Sequence, residues 1–186
     1  MFALAPEAHA HLTTSGLGPF YDGLTHPFVT PEDLLPLVAL SVLAGLRGAR
    51  FGRFVLFALP GAWLVGSAVG LVITSPALIA ATRTVVTITL GALVAADVRL
   101  PLASVASLAI VFGLFSGGLS GMDLARTQSG ALIVAGGACA FFVVVALLAA
   151  CVVSLRSQWA RIATRVAGSW IAASGLFMLG WALHKG

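Results

Sequence analysis

Apolar residues run along this chain in six long blocks, approximately 31–46, 54–74, 77–96, 101–121, 131–154 and 164–183, with short polar breaks between them. A bilayer's hydrocarbon core takes about 20 residues of helix to cross, and every block but the first reaches that length. The first comes closest if its helix starts at Pro31, a residue suited to the first helical position because the N–H it lacks would be unpaired there. Thr30 then stands at the N-cap. Glu32 and Asp33 fall in the first turn, where the helix dipole favours negative charge. The pattern predicts an all-α fold, a polytopic integral membrane helical bundle of about six transmembrane helices over residues 31–186. Residues 1–30 precede it as an exported, periplasmic N-terminal segment.

Composition closes off other classes. The 186 residues are 60% hydrophobic and only 9% charged, with a mean hydropathy of +1.08, where a soluble domain carries about 25% charged residues. The formal charge is +4 and the pI near 10.1. Arg47, Arg50 and Arg53 lie between the first two blocks, Arg99 between the third and fourth, and Arg156, Arg161 and Arg165 around the junction of the last two. The other breaks hold little beyond Arg126 and Lys185. By the positive-inside rule the arginine-rich breaks are cytoplasmic and both termini face outward. The expected setting is a bacterial inner membrane, crossed several times, with the N-terminus periplasmic. Orientation accounts for the basic residues, so no nucleic-acid partner is implied. The lipid bilayer is the expected partner, with a homo-oligomer or a larger membrane complex beside it.

Polar chemistry concentrates in two stretches. Asp22 to Pro36 holds Asp22, His26, Glu32 and Asp33, hard oxygen donors and one imidazole that suit a cation. Ionisable groups at such a boundary are expected to be paired or used, although capping alone explains part of Glu32 and Asp33. The second stretch is Gly113 to Asp123. Gly113, Gly117 and Gly121 lie four apart, the small-xxx-small pattern that lets helices approach closely in lipid, and Gly66 with Gly70 repeats it. Ser116, Ser120 and Asp123 form a neighbouring stripe, predicted to face protein. With the arginine-rich breaks inside, the end of this stretch emerges on the same side as the acidic cluster.

Three further features bear on the fold and the site. Arg83 is the one basic residue well inside a block; a central arginine costs roughly 2.5–3.5 kcal/mol on insertion scales, so it is expected to seek Asp33 or Asp123, as a structural ion pair before a gate. Ala8-His9-Ala10 has the shape of a signal-peptidase site, though no basic n-region or full h-region precedes it. Cleavage would remove residues 1–10 as a signal-peptide remnant and make His11 N-terminal, its amine and imidazole then forming a chelate; a leader without that role is the simpler reading. Cys139 and Cys151 would lie roughly 18 Å apart on one helix, beyond disulfide reach, and are assigned to core packing. No Walker loop, dinucleotide fingerprint, CxxC, HExxH or nucleophile triad occurs, and no enzyme is predicted.

With these residues in view, the chain resembles the HupE/UreJ family of hydrogenase and urease accessory membrane proteins, regarded as nickel or cobalt permeases. The family's first helix carries His-Pro-x-x-Gly-x-Asp-His. Here His26-Pro27 matches, Glu32 stands for the aspartate and Asp33 for the second histidine. A later helix carries Phe-His-Gly-x-Ala-His-Gly-x-Glu, and here Phe115 to Asp123 keeps the glycine frame and the terminal acid while Ser116 and Ser120 replace both histidines. The resemblance implies a permease-like protein for a divalent metal cation, nickel or cobalt. Its metal site would draw on His26, Glu32, Asp33, Asp123 and Asp22, with Ser116 and Ser120 lining the pathway and Arg83 beside it as ion-pair partner or gate. Losing three imidazoles removes the ligands best suited to Ni²⁺ or Co²⁺ and points to a harder cation or to lost transport. The alternative is a non-transporting accessory or structural subunit of a membrane complex. No ATP-binding motif is present, so uphill movement would draw on the membrane potential, about 2.3 kcal/mol per charge per 100 mV.

Overall fold

Every apolar block becomes a helix, and one more helix precedes them. The computed structural model describes residues 16–70, 76–124, 129–155 and 157–185. Its helices in chain order are α1 (Pro19–Val29), α2 (Pro31–Arg47), α3 (Ala49–Gly70), α4 (Pro76–Ala95), α5 (Leu102–Leu124), α6 (Gly130–Ser154) and α7 (Gln158–Lys185). Among the described residues there is no strand. Spans Ala49–Gly70, Leu102–Met122, Gly130–Ser154 and Gln158–Trp181 are long and apolar enough to cross a membrane, and α1 with α2 makes a fifth if the bent pair is one span. The protein is an all-helical membrane bundle.

The bend has a local cause. Pro31 disfavours the helical conformation for the residue before it, and Thr30 takes φ −112° and ψ 94°. The chain turns by 76° there. Thr30 occupies the N-cap position as predicted, but its hydroxyl makes no capping bond; its backbone carbonyl instead accepts from the N–H groups of Asp33 and Leu34. α1 lies inside the N-terminal segment, residues 1–30, that is expected to precede the bundle. It packs on the start of α6 at Gly23 and Gly136, where a Cβ would run into the backbone carbonyls of Ile133 and Phe20.

α2 is the hub, in contact with all six other helices, and its residues from Leu37 to Gly45 are buried apart from Val38. α3 and α5 form the most extensive pair. The glycines at 113, 117 and 121 face α3, while Gly66 and Gly70 face the backbone of α5 at Leu114 and Gly118. Both predicted glycine rows therefore meet in one interface. The cysteines depart from expectation: Cys139 and Cys151 are exposed on α6. An outward apolar side chain costs nothing in lipid, because the bilayer's tails are as apolar as the core.

Candidate functional site

Two polar places sit at opposite ends of α2, with Asp33 and Arg47 about 21 Å apart at 1.5 Å per residue. At the first, Asp33 is 2% exposed and Ser116 is fully buried. The Ser116 hydroxyl donates to Oδ1 of Asp33 at 2.6 Å. Helix packing explains the meeting. Gly117 docks α5 against the backbone of α3 at Trp63, and the adjacent Ser116 is thereby turned toward the first turn of α2. Ser120, one turn on and also buried, donates to the Ser116 carbonyl at 3.1 Å. The serine stripe faces protein.

Inward of this pair the bundle is apolar. One turn below Asp33 lies Leu37, and one turn below Ser116 lies Phe112, both at most 1% exposed. Phe112 stacks on Phe141 at 6.2 Å between ring centroids, and Phe141 meets Trp63 at 5.4 Å. These apolar side chains separate the carboxylate from the far end of α2. A charge at Asp33 is strengthened in its interactions by the low local dielectric and must be satisfied by neighbours.

The other predicted ligands are placed as follows. Asp22 lies in the first turn of α1 and His26 in its last, both half-buried, and Glu32 is exposed at the head of α2. Among the described residues no three of His, Cys, Asp and Glu are grouped to hold a metal ion. His11 and the side chains of Asp123 and Arg83 lie outside the described residues.

The second polar place was not found in the sequence. Asp97 follows α4 with φ 49°, a left-handed turn that aspartate tolerates better than most residues. Arg47 of α2 donates to its Oδ1, and Arg161 of α7 donates to its Oδ2 at 2.6 Å. Arg165 adds a bond from Nε to the Ala95 carbonyl at 2.9 Å. Burial alone would raise the Asp97 carboxyl, but the guanidiniums of Arg161 and Arg47 outweigh it and hold it below its ordinary value. The sequence does carry one signal for it: Asp97 is the lone acid among the arginine-rich breaks. These contacts gather the ends of α2, α4 and α7 on one side of the bundle, away from Asp33.

Comparison with known proteins adds to this geometry. A family model described as HupE / UreJ protein matches residues 1–178. The chain is similar to "Protein HupE" of Rhizobium leguminosarum bv. viciae, 30% identical over 182 residues, which cover 95% of this chain and 92% of that protein. No solved structure matches.

Proposed function

The chain belongs to the HupE/UreJ family, and from that premise we propose that it is a permease-like protein for a divalent metal cation. The cation enters from the outer face of a bacterial inner membrane, with the N-terminus on the periplasmic side. One observation carries the proposal: the buried Asp33 carboxylate accepts a hydrogen bond from Ser116. These two positions are where the family motifs have histidines. A carboxylate inside a membrane bundle is costly and is by default a functional group. Asp33 and Ser116 form the inner part of the site, His26, Glu32 and Asp22 its approach, and Ser120 and Asp123 the continuation along α5. Nickel or cobalt is the cargo that the family implies. The oxygen donors favour a harder ion such as Mn²⁺ or Mg²⁺ in competition with it.

Uptake of each ion by cells expressing the protein tests this at equal protein level. Asp33→Asn is expected to lower uptake at least fivefold, and Ser116→Ala two- to threefold, the loss of one hydrogen bond to a charged group reduced by relaxation. Unchanged uptake in Asp33→Asn and Glu32→Ala together removes the transport reading. A second reading then stands, a non-transporting accessory subunit. It is favoured by the lack of any three-ligand group among the described residues, and it expects a stoichiometric partner to co-purify.

A further inference from the structure

The start of α3 carries two exposed guanidiniums. Arg47 and Arg161 share Asp97, and Arg165 holds a carbonyl. Arg50 and Arg53, one turn apart and exposed, have no ion-pair or hydrogen-bond partner among the described residues. They stand at the head of an apolar groove of about 770 Å³ that runs along Phe54, Phe57 and Leu102. Positions 50, 53, 54 and 57 share one face of a helix, and Phe54 and Phe57 are exposed, so the groove continues directly from the charges along the outward, lipid-facing surface of α3.

Arg53 also borders a second groove. This one, about 540 Å³, lies between α3 and the end of α6, with Gly52, Leu56, Ala146 and Ala150 among its walls. Its depth comes from small residues. At Gly52 a Cβ would stand only 3.2 Å from that of Ala149, and alanines occupy the facing side of α6. Arg53 is thus a ridge with an apolar channel on either flank.

A ligand that satisfies all of this has an anionic head and two hydrocarbon tails. A zwitterionic lipid brings its own cation to compete with the arginines, and a soluble anion leaves both channels bare. Basic pockets between membrane helices recognise anionic head groups through this combination. We propose that α3 bears a binding site for an anionic phospholipid, its phosphate held by Arg50 and Arg53 and its acyl chains laid along the two grooves. The site is independent of the cation pathway, since it shares no residue with it.

Native mass spectrometry of the purified full-length protein tests this, with phosphatidylglycerol and phosphatidylcholine of identical chains as probes. Phosphatidylglycerol is expected to bind more tightly. At about 1 kcal/mol per basic residue, or about fivefold, Arg53→Gln weakens it about fivefold, and Arg50→Gln with Arg53→Gln about twenty-five-fold. Ala150→Leu, which fills the second groove without changing charge, weakens it severalfold. Arg99→Gln lies outside both grooves and leaves it unchanged. Equal binding of the two lipids overturns the proposal, as does an Arg99→Gln loss matching that of Arg53→Gln. Full retention in Ala150→Leu overturns the groove assignment, and displacement by glycerol 3-phosphate at the lipid's own concentration overturns a lipid ligand. The substituted side chains are exposed, and unchanged elution of each variant establishes that it is folded.

Discussion

Replacing Gly117 by alanine is expected to abolish the folded bundle, whereas the same change at Gly118 is expected to be tolerated. The two glycines are neighbours on α5 and both are buried, yet they face different things. A Cβ on Gly117 would land on the carbonyl of Trp63, with the backbone nitrogen of Ser67 only 2.9 Å away. Neither can move without moving α3. On Gly118 the nearest atom would be the Gly66 carbonyl oxygen at 3.9 Å, an ordinary contact. Overpacking a core with flexible side chains costs about 1–3 kcal/mol; pushing two helix backbones apart along their whole interface costs more. Alanine at Gly118 gains about 0.8–1.0 kcal/mol of helix propensity instead. Elution profiles and thermal midpoints of the solubilised proteins separate the two. If both variants elute and melt like the parent, α3 and α5 do not interlock as described.

That prediction rests on a feature legible in the sequence, because a four-residue spacing of glycines specifies a face whatever it packs on. The serine stripe was legible for the same reason, and so were the six apolar blocks, all but the first of a length that matches a bilayer. Other features were not. α1 has only 11 residues with Pro27 inside it, and it is held by glycine contacts to α6 far along the chain. Its hydrophobic pattern alone is too short and mixed to announce a helix. Neither the exposure of Cys139 and Cys151 nor the burial of α2 was legible, for one shared reason. In lipid an apolar face reads alike whether it meets protein or acyl chains, so hydropathy cannot tell the central helix from a peripheral one. Asp33 could be placed at the head of α2, but not its partner: Ser116 lies 83 residues away, and no local rule reaches that far.

Removing the charge of Asp97 is the second change expected to be large. Asparagine also accepts a left-handed backbone, so Asp97→Asn keeps the turn and deletes only the carboxylate. Arg47, with 9% of its side chain exposed, then loses the one acid it pairs with among the described residues, while Arg161, at 55%, turns to solvent. Breaking a fully buried pair costs about 3–5 kcal/mol and an exposed one under about 1 kcal/mol. With Asp97 itself 18% exposed, the expected loss is about 2–3 kcal/mol. Arg161→Gln, by contrast, should cost less than about 1 kcal/mol. The effect must also depend on pH in one direction. The Asp97 carboxyl in the folded protein titrates below its ordinary value of 3.8, so on acidification the unfolded chain takes up the proton first. The stabilisation is complete above the ordinary value and is lost as pH falls through the lower, folded one. The difference in thermal midpoint between the parent and Asp97→Asn is therefore expected to stay level from about pH 8 to about pH 5 and to close below about pH 4. A difference that closes already near neutrality would assign it to another group. No difference at any pH would mean that this carboxylate does not join α2 to α7.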